Sequence, residues 1–340
     1  MLKMVFLGLL LFGLIFNLVT IELSLSISAY GQIPYIPSTS PSLSNQEQQS
    51  SSSSASSASS ASAAALTSVG GKNNQVSVLN GLNNNNTGKV VILTFGDGLQ
   101  SQYTYAKPIL DKYGFKANFF VTCNKVGLRD KITWQELVQL YKEGHVIGSK
   151  TVDYGTKAKG DIDLNHLSAN KLEYEVGQSK QCLLDHGINT TVFAVPKNVA
   201  SDNQTVVNTI SKYYDYAING HSHLMYLYAN RYSIGEWSMQ HVRDNGTSYN
   251  NSQMFSQFVA ALDSQNKFNE GGMINAIPVI GYHEIIPAYT DVSYTNKSSD
   301  TTLNLFEAEM KYLHDNGFRV ITFYDIGYDQ SSNSLFIKTM

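Results

Sequence analysis

The sequence has little of what marks several common classes of protein. Of its 340 residues only two are cysteine, and 24 lysines and arginines nearly balance 27 aspartates and glutamates. The resulting net charge of -3 gives no electrostatic basis for binding nucleic acid. The chain also lacks a phosphate-binding loop, a nucleophile elbow and a dinucleotide-binding fingerprint. These absences exclude the corresponding nucleotide sites and serine-nucleophile sites.

The two cysteines, Cys123 and Cys182, permit at most one disulfide bond. In an oxidising compartment they could pair. We expect two separate buried thiols instead, and the disulfide is the alternative.

The first 31 residues have the pattern of a targeting segment. A positive start precedes an unbroken apolar run over 4–16, and small residues offer cleavage after Ala29 or Gly31. Both a cleaved signal peptide and an uncleaved signal anchor stay open, because the apolar stretch approaches the length of a bilayer span. Either one places the rest of the chain in a secreted or cell-surface location. Membrane contact is then expected only through this segment, if it is uncleaved.

Three further regions follow the targeting segment. Residues 32–87 form a low-complexity linker rich in serine, alanine and asparagine, which cannot bury enough apolar area to offset chain entropy. Residues 88–329 are long enough for one large domain, and 330–340 form a tail. Six N-x-S/T sequons fit an exported glycoprotein: Asn85, Asn189, Asn203, Asn245, Asn250 and Asn296.

Strand-like and helix-like segments alternate through residues 88–329. This rhythm predicts a parallel sheet with helical crossovers. About seven strand–helix units favour an α/β fold with a distorted (β/α) barrel, and an open doubly wound sheet is the alternative. In both folds function gathers where the strands end. Asp97 follows the first predicted strand, residues 145–154 surround the third, and His283 follows the seventh.

Several ordered motifs extend this interpretation. The blocks are TFGDG (94–98), GHVIGSKTVDY (144–154), FAVPKN (193–198), IPVIGYHEI (277–285) and LFEAEMKYLHDNGFRVITFYDI (305–326). In this order and spacing the chain resembles polysaccharide deacetylases of the NodB-homology type, carbohydrate esterase family 4. The resemblance covers roughly residues 90–328.

The resemblance implies a metal-dependent hydrolase of acetyl groups on amino-sugar polymers, a deacetylase of non-peptide C–N bonds. In the family a divalent metal, often zinc, is held by one aspartate and two histidines. The metal lowers the pKa of its water and polarises the substrate carbonyl. By position, Asp97 is the retained metal ligand, and His283 is the general acid.

Other family positions carry different residues in this chain. Gly96 stands where the general base belongs, and Lys150 and Tyr154 stand at the two histidine positions. A lysine is cationic and would repel Zn²⁺. We therefore expect no metal in this copy, with zinc as the cofactor only if the family activity is retained.

Lys150 suggests a substitute for the metal. Its ammonium could pair with Asp97 and satisfy a carboxylate that would otherwise be stranded in a partly buried site. Two further residues are candidates for glycan binding. Pro196 is kept from the third motif, and Trp237 is either a packing residue or a platform for a sugar ring.

Two classes of function follow from these residues. The first is an exported polysaccharide deacetylase, here impaired as an enzyme because Gly96, Lys150 and Tyr154 replace the base and both histidine ligands. The second is a non-catalytic pseudoenzyme, either a cell-surface glycan-binding protein or a structural envelope protein. The expected partner is a polysaccharide or cell-envelope glycan, and no nucleic acid.

Overall fold

The computed structural model describes residues 88–153, 163–198, 200–220, 222–238, 240, 248–288 and 299–338. The predicted targeting segment and linker lie outside these residues, and so does Tyr154. In the described part of the chain, no helix is both long and apolar enough to cross a membrane.

Strands and helices alternate along the described residues, as the sequence predicts. The strands are β1 (Val90–Phe95), β2 (Asn118–Val121), β3 (Val146–Ser149), β4 (Val192–Ala194), β5 (Tyr216–Gly220), β6 (Leu224–Tyr226), β7 (Ile234–Gly235), β8 (Trp237–Ser238), β9 (Ala276–Tyr282), β10 (Ile285–Ile286), β11 (Thr301–Thr302), β12 (Arg319–Ile321), β13 (Ile326–Asp329) and β14 (Ser334–Ile337). The helices are α1 (Lys107–Lys112), α2 (Trp134–Lys142), α3 (Ala169–Glu173), α4 (Ser179–Asp185), α5 (Gln204–Ser211), α6 (Asn251–Asp263) and α7 (Leu303–Asp315).

The parallel strands form a nearly closed ring. Pairing runs in the order β1–β2–β3–β4–β5–β7. β8 follows β7 after a single residue and pairs with β9, which pairs with β1. The short segment 234–238 therefore joins the two edges of the sheet. The predicted distorted barrel is confirmed, and the open-sheet alternative is wrong.

Alternate residues of each strand face opposite sides of this barrel, because side chains along a strand alternate between its two faces. In β1, Val91, Leu93 and Phe95 belong to the core that the sheet shares with the helices. Val90 and Ile92 belong to a second core made almost entirely of strand residues, which fills the barrel interior. This alternation decides which residues beyond the strand ends face inward.

The helix ends follow local signals that the sequence predicts. Thr133 caps α2: its hydroxyl accepts a hydrogen bond from the Glu136 amide, and the Glu136 carboxylate accepts one from the Thr133 amide. This reciprocal capping box satisfies donors that an isolated helix start leaves unpaired. Between α3 and α4 the helix continues through a π-helical turn, Tyr174–Gln178.

Two expectations at the level of the chain need correction. Cys123 and Cys182 form a disulfide, with their Cα atoms 6.4 Å apart, so the expectation of two separate thiols is wrong. Residues 330–338, assigned above to a tail, include strand β14, which pairs antiparallel with β13. Leu335 and Ile337 of β14 are buried in the interior core, which explains why this segment is ordered against the barrel.

A buried acid lies beside the strand that leads to the predicted site. The Tyr282 hydroxyl donates a hydrogen bond to Glu309 Oε2 at 2.9 Å, and both side chains are fully buried. Burial raises the pKa of Glu309 to about 8, from its ordinary value of 4.5. Glu309 is therefore a protonated carboxylic acid in the folded protein at neutral pH.

We expect Glu309→Gln to remove part of the pH dependence of stability. The unfolded chain releases the Glu309 proton near pH 4.5, whereas the folded chain keeps it up to about pH 8. Stability should thus fall as pH rises through this window, by at most about 1.4 kcal/mol per pH unit. Urea unfolding between pH 4 and pH 8 measures the slope. The matched control is Glu307→Gln, a half-exposed residue of the same helix, and equal slopes in wild type and Glu309→Gln would contradict the assignment.

Candidate functional site

A pocket of about 240 Å³ opens at the carboxyl ends of the barrel strands. It is lined by Gly96, Asp97, Phe120, Lys150, Ala194, Val195, Lys197, Asn198, Glu236, Ser238 and His283. Most of these residues continue the inward-facing rows of their strands: in β1 the row passes from Ile92 through Thr94 to Gly96. Barrel closure therefore brings residues that are far apart in the sequence into one site.

Asp97 sits on a turn with an unusual backbone. Its φ is 71°, in the left-handed region that non-glycine residues seldom adopt. The Lys131 ammonium donates a hydrogen bond to the Asp97 carbonyl oxygen at 2.8 Å and holds this turn in place. Burial lowers the pKa of Lys131 to about 8, although Asp97 opposes the shift. Strained backbone of this kind is frequent at functional sites.

Lys150 and Asp97 form an ion pair at the centre of the site. The distance from Lys150 Nζ to Asp97 Oδ1 is 2.8 Å, as the pairing hypothesis requires. Their side chains are 11% and 27% exposed, so water screens the pair only partly. Burial raises the pKa of Asp97, but the charges of Lys150, His283 and Lys131 outweigh it, so this pKa lies well below its ordinary range.

His283 lies on the other side of the Asp97 carboxylate. Its Nε2 atom is 3.9 Å from Asp97 Oδ2. Burial and the neighbouring Lys150 lower the pKa of His283, whereas Asp97 and Glu236 act in the opposite direction. A Cβ atom at Gly96 would come within 3.2 Å of His283 Nε2. The imidazole therefore lies against the space that a side chain at position 96 would need.

The fully buried Gln102 forms hydrogen bonds with both the turn at Gly96 and the strand end at His283. Its amide nitrogen donates to the carbonyl oxygens of Gly96 and His283, at 2.5 and 2.8 Å. Its amide oxygen accepts a hydrogen bond from the Leu99 amide. The turn carrying Asp97 and the strand end carrying His283 are thus held at a fixed spacing.

Glu236 is a pocket residue that the sequence analysis missed. Its Oε2 accepts a hydrogen bond from the Thr94 hydroxyl at 2.9 Å, and Asn198 Nδ2 lies 3.5 Å from its Oε1. The one feature of the sequence that pointed to Glu236 was its position next to Trp237, in the stretch IGEWS (234–238). A two-residue strand shows no alternation of its own, so the inward position of Glu236 could not be deduced.

Trp237 and Pro196 do not line the pocket. Trp237 packs against the core between sheet and helices, while Glu236 and Ser238 on either side of it face inward. Trp237 therefore does not face this pocket, and its contacts are those of the packing interpretation. Pro196 is buried in a 3₁₀ turn, and its neighbours Val195 and Lys197 line the pocket instead.

The donor atoms around Asp97 do not fit the metal that the resemblance implies. A zinc site needs three or four nitrogen, oxygen or sulfur ligands. Among the described histidine, cysteine, aspartate and glutamate side chains, no group of three converges at Asp97: His283 Nε2 lies 3.9 Å from the carboxylate, and Gly96 contributes no side chain. The Lys150 ammonium already lies beside the carboxylate, where a metal ion would bind. The carboxylate is thus already neutralised by a cation of the chain itself.

Elsewhere in the described residues, Asp111, Glu143 and His145 bring potential ligand atoms within 4.8 Å of one another. Lys107 already pairs with both carboxylates, at 2.6 and 2.8 Å. His145 Nδ1 accepts a hydrogen bond from the Ala117 amide, so the proton of the neutral ring is on Nε2. His145 Nδ1 is therefore engaged, whereas its buried Nε2 has no hydrogen-bond partner among the described residues. The two carboxylates are already neutralised by Lys107.

Comparisons with known proteins agree with the motifs. A polysaccharide deacetylase family model matches residues 83–217, a range that includes Asp97 and Lys150 and ends before His283. The chain is 31% identical over 110 residues to YxkH of Bacillus subtilis (strain 168), whose name gives polysaccharide deacetylase as a provisional assignment. That alignment spans 32% of this chain and only 37% of YxkH.

Solved structures with a similar fold are more distant. A family 4 carbohydrate esterase from Streptomyces lividans, in complex with acetate, is 12% identical, with a TM-score of 0.46 over 74% of this chain and 98% of that one. The Xyl-CE4 domain of a xylanase from the hindgut metagenome of Trinervitermes trinervoides is 17% identical, with a TM-score of 0.45 over 69% and 88%. The barrel assignment rests on the strand pairings of this chain itself.

A double-mutant cycle tests the central ion pair. Lys150→Met should lower the free energy of unfolding at pH 7 by about 1 to 3 kcal/mol, between the values for exposed and buried pairs, because it leaves Asp97 unpaired. Adding Asp97→Asn should restore most of this loss. Lys311→Met, which removes an exposed pair with Asp315, is the control and should cost less. Additive effects of the two pocket substitutions would show that the pair is not coupled.

Proposed function

We propose that this chain, which carries a domain of the polysaccharide deacetylase family, binds an acetylated cell-envelope glycan in its barrel pocket without the metal-dependent hydrolysis typical of that family. The observation that carries the proposal is the contact of 2.8 Å between Lys150 and Asp97. An ammonium ion neutralises the carboxylate but offers no coordination site for a water molecule. The pocket therefore keeps its charge balance while losing the means to activate water.

The remaining residues suit glycan binding better than turnover. Position 96 has no general base, and His283 has no activated water to assist. Phe120 and Ala194 supply an apolar wall, whereas Glu236, Asn198 and Ser238 offer groups that can hydrogen-bond to sugar hydroxyls. An apolar surface with a few well-placed polar groups is the usual composition of a small-molecule pocket.

We also propose that the protein is exported. The pattern of residues 1–31 supports this proposal, and so does the disulfide between Cys123 and Cys182, because disulfides persist in oxidising compartments and are rare in the cytosol. Fractionation of the native cells tests it: the chain should be found in the medium or on the cell surface. Recovery in the cytosol with both thiols free would contradict it.

Zinc content decides between the metal-free pocket and a rebuilt metal site. The full chain, stripped with a chelator, incubated with zinc and desalted, should contain no stoichiometric zinc by mass spectrometry of the metal. Asp97→Ala is the companion variant. One equivalent of zinc in wild type that is lost in Asp97→Ala would overturn the proposal.

Glycan binding is tested with acetylated chitooligosaccharides and acetylated peptidoglycan fragments. Calorimetry should detect binding to the full chain, and Glu236→Ala should weaken it by about tenfold, the usual cost of one pocket hydrogen bond to a charged group. Lys311→Met, far from the pocket, should bind like wild type. Release of acetate would identify an active deacetylase, and absence of any binding would favour a structural envelope protein; both results overturn the proposal.

A further inference from the structure

The segment that carries Lys150 is held in place by contacts with elements outside the pocket. Lys150 directly follows β3, and Thr151 adopts a left-handed backbone with a φ of 67°. An L-residue in this conformation needs surrounding contacts to hold it there. The conformation of residues 150–153 therefore depends on contacts with other parts of the chain. Two neighbouring elements provide such contacts.

The first element is the turn that follows β2. The Thr122 hydroxyl donates to the Lys150 carbonyl oxygen at 3.0 Å, and the Cys123 amide donates to the Thr151 carbonyl oxygen at 3.2 Å. The Asn124 amide donates to the carbonyl oxygen of residue 152 at 3.0 Å. One side of the segment is thus fixed by three consecutive residues of this turn.

The second element is the helix that runs from α3 to α4. Glu175 is fully buried, and its Oε2 accepts hydrogen bonds from the Val152 and Asp153 amides, at 3.0 and 2.9 Å. Lys171 lies 2.7 Å from Glu175 Oε1 and 3.2 Å from Asp153 Oδ2. Glu175 lies in the π-helical turn, an irregularity that is frequent at functional sites.

The disulfide joins these two elements to each other. Cys123 belongs to the turn and Cys182 to α4, so the bond ties together the two elements that contact residues 150–153. A buried carboxylate that accepts two backbone hydrogen bonds, reinforced by a covalent tie, is a stronger restraint than an ordinary loop contact. We call Glu175 and the Cys123–Cys182 disulfide together the Lys150 clamp.

We propose that the Lys150 clamp positions the Lys150 ammonium on Asp97, with Glu175 as its positioning residue. The relevance of this clamp to glycan binding rests on the proposed function. Neither Glu175 nor the disulfide lines the pocket. Their effect on the pocket acts through the backbone of residues 150–153, so loss of the clamp should free Lys150 while the barrel stays folded.

The test compares full-chain wild type with Glu175→Ala, Glu175→Gln and the double variant Cys123→Ser/Cys182→Ser. Trinitrobenzenesulfonate modifies lysine amines, and peptide mass spectrometry gives the rate at Lys150 relative to the exposed Lys311. Loss of a charged hydrogen-bonding group should raise the Lys150 rate by about tenfold in Glu175→Ala. Glu175→Gln keeps one oxygen acceptor and should fall between wild type and Glu175→Ala.

A matched control and a second measurement separate positioning from general destabilisation. Glu173→Gln changes a partly exposed carboxylate on the same helix that pairs with Lys212 instead of the segment, and it should leave the Lys150 rate unchanged. Hydrogen exchange should accelerate at the amides of residues 150–153 and stay slow in β1 and β9. These readouts need neither glycan nor metal, so they remain interpretable if the proposed function fails.

Two outcomes would overturn the proposal. One is an unchanged Lys150 rate in folded Glu175→Ala and in the cysteine variant. The other is faster exchange spread evenly over β1, β9 and residues 150–153, which indicates a merely structural role. If Glu175→Ala does not fold, Glu175→Gln and the cysteine variant decide the question by the same two criteria.

Discussion

The ion pair between Asp97 and Lys150 is the constraint on which the rest of the site depends. A carboxylate that is largely removed from water must be paired or protonated, because burying an unpaired charge is very costly. In this chain the pairing group is the ammonium of Lys150, which follows β3, two strands along the sheet from β1, and its Nζ lies 2.8 Å from the carboxylate. The strained backbone of Asp97, the Lys131 contact to its carbonyl oxygen and the contacts around residues 150–153 all serve to keep these two charges together.

The substitutions in the pocket depend on one another. With glycine at position 96, the His283 ring lies where a Cβ atom would come within 3.2 Å of Nε2. With lysine at position 150, the carboxylate of Asp97 already has its cation. A side chain at position 96 would require the His283 ring to move by a few tenths of an ångström, and loss of the lysine at position 150 would leave Asp97 without this cation. The residues at positions 96, 97, 150 and 283 therefore form one set of mutually dependent contacts.

The barrel strands fix the positions of the side chains that line the pocket, most of which lie at or just beyond the strand ends. Parallel strands deliver their carboxyl ends to one face, and alternation selects the inward residues. Gln102 fixes the spacing between the first and last strands of the site, and Glu175 supports the segment after β3. The buried and protonated Glu309 lies behind Tyr282, the residue before His283. Gln102, Glu175 and Glu309 thus influence the pocket through the residues that they contact, and none of the three lines it.

The sequence by itself determined the alternation of strands and helices, the capping box at Thr133, and the residue types at the strand ends. These features are local, since each depends on neighbours within one or two turns of chain. The pairing of Lys150 with Asp97 was predicted from the resemblance, which places both residues at positions of metal ligands, together with the need of a buried carboxylate for a cation. Only the tertiary structure decided that Cys123 meets Cys182, that Trp237 faces outward and that Glu236 enters the pocket. These outcomes depend on barrel closure and strand register, where a shift of one residue exchanges the inner and outer faces.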